Sequence, residues 1–270
     1  MLTIYSIEKR GTSKSWLAFS EKIAKKYLFQ GTTLQNLFSF EFYKNSNEKE
    51  ARFIDFSSIF ILLRTQLENY AVFHHLFIGN CHTDEKILRF RLWELDGYLT
   101  YERIGNFDDP KNAIKKIAHD KGKETCIKAI GESIYFQRLD QNTRDYLVEN
   151  ALWRFTDNSL KNKNKNEWNI RISGIIANTG IKHDFLADWY AVSSRYIHTL
   201  FPSVVHMDVS NEEDEIMAQY VSTIQGAFIT SFFITDFASK FAYAREFFDS
   251  CSDSEKEVIN SFSKLGKDKL

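Results

Sequence analysis

The chain is poor in the residues that interrupt helices and in cysteine. Only two of its 270 residues are proline and three are cysteine. Proline ends or kinks helices, so its scarcity, together with apolar residues that recur at helical spacing, predicts an all-α multi-helix bundle. The cysteines, Cys81, Cys126 and Cys251, form no Cys-x-x-Cys pair. This pattern argues against a cysteine-based zinc or redox centre and favours a reducing compartment.

An excess of charge of one sign and long hydrophobic runs are also lacking. Lysine and arginine total 35 against 36 acidic residues, so a nucleic acid or an anionic membrane would meet no general attraction and any polyanion needs a local patch. The longest apolar runs, FSSIFILL and GAFITSFFIT, are too short to span a membrane. The opening MLTIYSIEKRGTSKSW lacks the order of a secretory signal. We therefore expect a cytoplasmic protein with no membrane partner.

Several chemical signatures are absent as well. The sequence contains no G-x-x-x-x-G-K-[ST], G-x-G-x-x-G or G-x-S-x-G, which argues against nucleotide, dinucleotide and acyl chemistry of those types. His74, His75, Cys81 and His82 lie close together in sequence but complete no four-ligand zinc pattern. We expect no metal and no cofactor.

The composition is that of a globular protein with an aromatic interior. Apolar residues make up 43%, with 24 Phe and 12 Tyr. We predict a single helical domain over 1–270, with an N-terminal helical extension at 1–50, a core at 51–202 and C-terminal helices at 211–270. The segment DNSLKNKNKNEW, residues 157–168, alternates Lys and Asn and cannot bury apolar surface, so we expect a solvated loop.

Glycine, proline and capping residues divide the chain into helical segments. A break is expected near Gly31 and a pause near Gly122. The predicted segments are Ser13–Phe42, Asn47–Ile78, Asp84–Ile104, Pro110–Phe136, Asp140–Thr156, Trp168–Asn178, Lys182–Leu200, Asn211–Phe248 and Ser252–Lys264.

Polar residues recur at helical spacing in FSSIFILLRTQLENYAVFHHLF. At about 100° per residue, Arg64, Glu68 and His75 fall on one narrow stripe of a helix that is otherwise rich in Leu, Ile, Phe and Val. Arg64 and Glu68 are four residues apart and can form an ion pair on one face. Buried charges cost several kcal/mol unless they are paired. The pair is therefore either a core contact that sets helix register or part of a functional site.

A second polar stripe lies in FLADWYAVSSRYIHTLF. Tyr190, Ser194 and His198 are spaced by one helical turn each, and Arg195 lies on an adjacent stripe. The titration range of His198 suits proton transfer near neutrality, although a hydrogen-bonded core histidine fits the same position. The simplest way to satisfy both buried stripes is to place them face to face, which makes them one candidate site.

The pattern R-x-x-x-E-N-Y in RTQLENY, followed by Y-x-x-x-S-x-x-x-H in YAVSSRYIH, resembles bacterial HEPN-like proteins. The resemblance covers roughly Ala51 to Pro202. It implies a helical bundle that often dimerises and, for many members, a metal-independent ribonuclease of toxin or antiphage-defence systems. RNA is then the implied substrate, and a second copy or another protein the implied partner.

The resemblance also implies roles for individual residues. A ribose 2′-hydroxyl would attack the neighbouring phosphodiester, with catalysis by Arg64, Glu68, Arg195 and His198 and substrate binding by Tyr190, Ser194 and His75. Catalytic members place an arginine about four to six intervening residues before the histidine. Here those positions are Ala191, Val192 and Ser193. The cation beside His198 would therefore be Arg195 in a different register or Arg64 from the other helix.

Two other classes of function remain open. A non-catalytic binding or assembly module of a defence or toxin–antitoxin complex would bury the same polar residues and expose an apolar surface, for example at Ala227–Phe248. A small-molecule or nucleotide binder would use the same pocket without cleavage. In the helix Asp84–Ile104, a packed amphipathic helix with a salt-bridged outer face is favoured over an RNA-stacking surface of Arg89, Trp93 and Tyr98.

Overall fold

The computed structural model is an all-α multi-helix bundle, as the sequence predicts, with one short hairpin in addition. The structure describes residues 15–37, 41–44, 50–53, 55–105, 110–182, 189–191, 193–194 and 212–267.

The described residues belong to two compact units. The first comprises those of Met1–His74 and Ile176–Leu270, and the second comprises those of His75–Ile175. These boundaries do not coincide with the expected segments at 1–50, 51–202 and 211–270. That the whole chain acts as one domain stays a prediction.

Three long helices build the core of the first unit. Helix α2 packs against both α1 and α9, and α9 also contacts α10 and α11. Its centre consists of fully buried side chains of α2 and α9, including Leu63, Leu67, Tyr70 and Phe232. The elements are α1 (Ser15–Leu37), β1 (Glu41–Lys44), β2 (Glu50–Phe53), α2 (Phe56–Phe73), α9 (Glu212–Lys240), α10 (Ala242–Ser250) and α11 (Asp253–Gly266).

The hairpin of β1 and β2 contains residues that the sequence pattern assigns to the end of one helix and the start of the next. The strands are antiparallel, with Glu41 opposite Phe53 and Lys44 opposite Glu50. The predicted first helix is too long at its C-terminus and the second starts too early. Helix α2 begins after Asp55, whose carboxylate accepts a hydrogen bond from the Ser58 amide at 2.9 Å.

The predicted break at Gly31 is wrong, because α1 runs through it. A Cβ at this position would lie 3.3 Å from Nε2 of Gln66 in α2. Glycine here therefore permits close packing of two helices instead of ending one. At the other end of α2 the helix widens into a π-helical segment, His74–Ile78. The side-chain directions of His74 and later residues consequently depart from the α-helical stripe that begins at Arg64.

The predicted helix Asn211–Phe248 is interrupted at Phe241. This residue has an extended backbone, φ −118° and ψ 119°, and separates α9 from α10. Its ring is buried and packs 4.6 Å from the ring of Phe237. Aromatic packing that needs an extended residue therefore overrides the local helical pattern, which contains neither glycine nor proline at this point.

In the second unit, α3 packs against α4 and α5. Leu88, Leu92, Leu147 and Phe155 are fully buried at its centre. The predicted pause at Gly122 does not occur. The elements are α3 (Thr83–Ile104), a 3₁₀ turn (Pro110–Asn112), α4 (Ala113–Gly131), α5 (Ile134–Gln137), α6 (Gln141–Glu149), α7 (Asp157–Leu160) and a second 3₁₀ turn (Lys165–Glu167), while α8 (Ile172–Ala177) crosses the division between the units.

Two further segments agree only in part with their predicted structure. Helix α6 is capped by Asp140 as its sequence suggests, but it ends at Glu149 and not near Thr156. Residues 161–167 are exposed, which confirms a solvated segment, yet the segment is anchored by Trp168. This residue is buried, and its indole donates to the Asn162 carbonyl at 2.8 Å.

Among the helices of the described residues, none combines the length and the apolar character needed to cross a membrane.

Candidate functional site

The first polar stripe meets the second through the guanidinium of Arg64. Its Nε donates to Oε1 of Glu68 at 2.9 Å, within α2. Its Nη1 donates to Oγ of Ser194 at 2.7 Å and its Nη2 to the Tyr190 hydroxyl at 3.1 Å. Two of these three nitrogens therefore reach residues that are 130 and 126 positions away along the chain.

The acceptors are also bonded to one another. The Tyr190 hydroxyl donates to Glu68 Oε1 at 3.1 Å, and Ser194 Oγ donates to the Tyr190 carbonyl at 2.8 Å. The Arg64 guanidinium carbon lies 4.5 Å from the centre of the Tyr190 ring, within range of a cation–π interaction. The four side chains form a network that holds the guanidinium plane in one orientation. We call Arg64, Glu68, Tyr190 and Ser194 the arginine network.

The arginine network is half-buried rather than sealed. The side chain of Arg64 is 14% exposed and that of Glu68 is 33% exposed. Burial, followed by the nearby Glu68 carboxylate, raises the pKa of Tyr190, so its hydroxyl stays protonated and able to donate at neutral pH. The network therefore combines a fixed cation with contact to solvent.

Apolar packing of α2 explains why Arg64 and Glu68 point to the same place. Leu63 and Leu67, each one residue before a member of the pair, are fully buried. Because residues four apart share a helix face, burial of the leucines turns Arg64 and Glu68 together toward the rim of the core.

Three predicted site residues are not placed in the arginine network. His198 and Arg195 lie outside the described residues. His75 lies in the π-helical segment, buried in the second unit, where its Nε2 is 3.2 Å from the Trp153 carbonyl and its ring 6.1 Å from that of Trp153. A substrate-binding role for His75 stays a prediction.

Arg89 of α3 cannot belong to the RNA-stacking surface that was considered for this helix. Arg89 is only 4% exposed, and its guanidinium forms an ion pair with the buried Glu85. It also donates to the His75 carbonyl at 3.3 Å, so it serves the interior of the second unit. The expected salt-bridged outer face does occur on the same helix, between Arg91 and Glu94 at 2.6 Å.

The apolar surface expected at Ala227–Phe248 is also mostly interior. Phe228, Ile229, Phe232 and Phe233 are buried in the first unit. Exposed apolar side chains of α9 lie nearer its start instead. They are Ile216, Met217, Tyr220 and Val221.

A polar cluster that the sequence did not reveal lies in the first unit. The Tyr70 hydroxyl donates to Asp236 Oδ2 at 2.7 Å, and Lys267 Nζ donates to the same oxygen at 2.8 Å. Burial raises the pKa of Tyr70 well above 10.0 and lowers that of Lys267. Tyr70 lies on α2, Asp236 on α9 and Lys267 directly after α11, so no local pattern could have identified the three together.

Three potential metal ligands lie close together, although no metal is expected from the sequence. In the second unit, one ligand atom each of Glu102, His119 and Asp120 lies within 4.8 Å of the other two. No pattern in the sequence indicates a role for these residues.

No protein-family model, curated protein or solved structure matches this chain.

Proposed function

We propose that this chain is a metal-independent endoribonuclease in which Arg64 binds the scissile phosphodiester. The observation that carries the proposal is the arginine network, which fixes the partly exposed guanidinium of Arg64 in α2 against the helical residues Tyr190 and Ser194, far away in sequence. The resemblance of the same residues to HEPN-like proteins supports RNA as the substrate.

The chemistry of arginine suits this role. A planar guanidinium presents paired donors that match two phosphate oxygens, and it keeps its charge at any physiological pH. A fixed cation stabilises the charge that develops on the phosphoryl oxygens without reorganising during the reaction. Because the whole chain has a net charge of −1, a local cation of this kind must supply the attraction for RNA.

The proposed reaction is a transesterification followed by release of one product strand. His198 takes the proton from a ribose 2′-hydroxyl, and the 2′-oxygen forms a bond to phosphorus. The bond from phosphorus to the 5′-oxygen breaks, and that oxygen receives a proton from solvent. Arg64, with Arg195 as the second candidate cation, stabilises the phosphoryl charge while Tyr190 and Ser194 orient the phosphate or ribose. The products carry a 2′,3′-cyclic phosphate and a 5′-hydroxyl.

A second candidate is a non-catalytic binding or assembly module of a defence or toxin–antitoxin complex. The observation that favours it is that all three guanidinium nitrogens of Arg64 already have protein acceptors. In that case the arginine network is a structural connection between helices, and its loss lowers stability without changing RNA.

The experiment incubates purified full-length protein with structured and unstructured RNAs in the presence of EDTA. Wild type is compared with Arg64→Lys, His198→Ala and Arg91→Lys. Arg64→Lys keeps the positive charge but loses the planar guanidinium with its paired donors. Arg91→Lys is the matched control, because Arg91 is also half-buried and paired with a carboxylate on its own helix. Urea unfolding of each variant separates loss of chemistry from loss of folding.

We expect wild type and Arg91→Lys to release fragments with cyclic phosphate ends. Arg64→Lys and His198→Ala should lower the rate about 100-fold or more, which is typical for loss of a charge-stabilising or proton-transferring group. Intact RNA with every protein would contradict the ribonuclease. Equal cleavage by wild type and both site variants would assign the activity to a contaminant.

A further inference from the structure

The second unit contains a buried histidine that faces the carboxylates of two acidic residues. Nε2 of His119 lies 3.1 Å from the carbonyl oxygen of Tyr98, an atom that can only accept. Nε2 therefore carries the ring hydrogen. The other ring nitrogen, Nδ1, faces Oδ1 of Asp120 at 3.3 Å and Oε1 of Glu102 at 3.9 Å.

One ring nitrogen and the carboxylate oxygens of two acids, all of them atom types that bind transition metals, therefore lie within 4.8 Å of one another. We infer that Glu102, His119 and Asp120 bind a divalent transition-metal ion such as Zn²⁺, which connects α3 to α4. Imidazole nitrogen and carboxylate oxygen are both zinc ligands, and bonds of about 2.0–2.2 Å place neighbouring ligand atoms of a tetrahedral site roughly 3.4 Å apart. The 3.3 and 3.9 Å separations from Nδ1 need only a small adjustment, and the ligand atoms of all three residues lie within 4.8 Å of one another.

The ring of His119 is oriented in the way that a metal ligand requires. A metal-bound histidine usually donates its other ring N–H to a carbonyl or carboxylate, as Nε2 does here to Tyr98. The rings of Tyr98 and Tyr101 lie 5.2 and 5.8 Å from the imidazole and fix its plane. The ring itself is buried, with the side chain 6% exposed.

The carboxylate side of the site is open to solvent, which provides a path for the ion. The side chain of Glu102 is 34% exposed and that of Asp120 is 57% exposed. Three protein ligands leave a fourth position for water. The site lies in one unit and involves none of the residues of the arginine network.

Lys123 modulates the proposed site. Its Nζ donates to both carboxylate oxygens of Glu102, each at 2.9 Å. The ammonium therefore competes with a metal ion for the same negative charge. Replacing Lys123 by an uncharged residue should tighten metal binding, an effect that a purely structural histidine would not produce.

Titration calorimetry of the tag-free full chain with zinc chloride tests the inference. The variants are Glu102→Gln, Asp120→Asn and Lys123→Met, with Glu124→Gln as the matched control, since Glu124 is an exposed acid of α4 outside the cluster. Thermal unfolding with and without zinc, and the visible absorption of the Co²⁺ complex, are recorded for each protein.

One zinc ion per chain should bind wild type and Glu124→Gln with equal affinity and raise the unfolding temperature of both. Glu102→Gln and Asp120→Asn should weaken binding about tenfold or more, and Lys123→Met should strengthen it. The inference is overturned if zinc does not bind wild type, or if it binds Glu102→Gln and Asp120→Asn as tightly as Glu124→Gln. Absence of tighter binding by Lys123→Met would remove Glu102 from the ligand set.

Discussion

Two pairs of arginine and glutamate, each four residues apart on a helix, have different surroundings in the two units. In the first unit, the Arg64 and Glu68 side chains are 14% and 33% exposed, and Arg64 reaches side-chain acceptors on another helix. In the second unit, the side chains of Glu85 and Arg89 are each 5% exposed, and Arg89 donates to a backbone carbonyl. The same spacing therefore serves an accessible network in one unit and a sealed interior contact in the other.

The acceptors explain the difference. The carbonyl of His75 belongs to a π-helical segment and gains a buried donor from Arg89, so that contact supports the backbone. The hydroxyls that receive Arg64 can turn to other partners, including a ligand. Helical spacing therefore predicts an ion pair, whereas the residues around the pair decide whether it stabilises the interior or leaves a charge accessible.

The largest expected effect is on the sealed pair. Glu85→Gln leaves the buried Arg89 charge without its counter-ion, which should lower the free energy of unfolding by about 3–5 kcal/mol. Urea unfolding measures this loss. Glu94→Gln, on the half-buried Arg91 pair of the same helix, is the control and should lose less than about 1 kcal/mol. A loss below 1 kcal/mol for Glu85→Gln as well would show that burial does not distinguish these pairs.

The next effect compares a buried with a half-exposed tyrosine at alkaline pH. Burial, then Asp236, raises the pKa of Tyr70 above its ordinary 10.0, so the folded state keeps a proton that the unfolded state releases. The stability from Tyr70 is complete below pH 10.0 and falls above it, by up to about 1.4 kcal/mol per pH unit.

Urea unfolding at a series of pH values on either side of 10.0 measures that slope. Tyr70→Phe should reduce this slope by the share of one buried tyrosine, while the other tyrosines with raised pKa values, such as Tyr27, keep contributing to it. Tyr190→Phe should reduce the slope less, because Tyr190 is only partly buried although its pKa is also raised. Lys267 acts in the opposite direction, since its lowered pKa makes stability rise as pH approaches 10.5. Equal slopes for wild type and Tyr70→Phe would contradict the assignment.

A smaller effect is expected within the arginine network. Ser194→Ala removes the acceptor of Arg64 Nη1 and should lower the free energy of unfolding by about 1 kcal/mol. Its matched control is Ser193→Ala, because Ser193 also donates to the Tyr190 carbonyl, at 3.0 Å, but lies outside the network.

A double-mutant cycle with Arg64→Lys isolates the contact. Ser194 and Arg64 should be coupled by about 1 kcal/mol, and Ser193 and Arg64 by less than about 0.5 kcal/mol. Equal coupling for the two serines would mean that the hydrogen bond to Ser194 does not hold the guanidinium.

The smallest effect concerns a third pair with four-residue spacing. Lys128 and Glu132 lie 3.9 Å apart, and their side chains are 77% and 68% exposed. Lys128→Ala should change the free energy of unfolding by less than about 0.5 kcal/mol, since solvent already screens the pair. A larger loss by urea unfolding would show that exposure is a poor guide to the three pairs.

Local signals predicted the helical fold and several helix ends. Ser252 and Glu255 form the capping box that starts α11, and Gly105 follows the end of α3. Local patterns gave the wrong prediction at two positions where packing overrode them. Gly31 lies within a helix instead of breaking it, and the extended backbone at Phe241 ends a helix that was predicted to continue. Neither outcome depends on the residue alone, because each follows from a neighbour on another segment or from a ring packed in the interior.

The sequence predicted one polar network of the structure and missed another polar cluster. The helical spacing of Arg64 with Glu68 and of Tyr190 with Ser194 correctly indicated two stripes that meet. The cluster of Glu102, His119 and Asp120 had no such signal. Adjacent residues on a helix usually point about 100° apart, so His119 and Asp120 would not be expected to share a ligand.

By itself the sequence determined an all-α chain and the faces on which its charged residues lie, because helical periodicity is a property of each segment alone. Only the tertiary structure decided which of these charges are sealed, which are accessible and which acceptors they reach. The reason is that desolvation and hydrogen-bond partners depend on residues brought from distant parts of the chain.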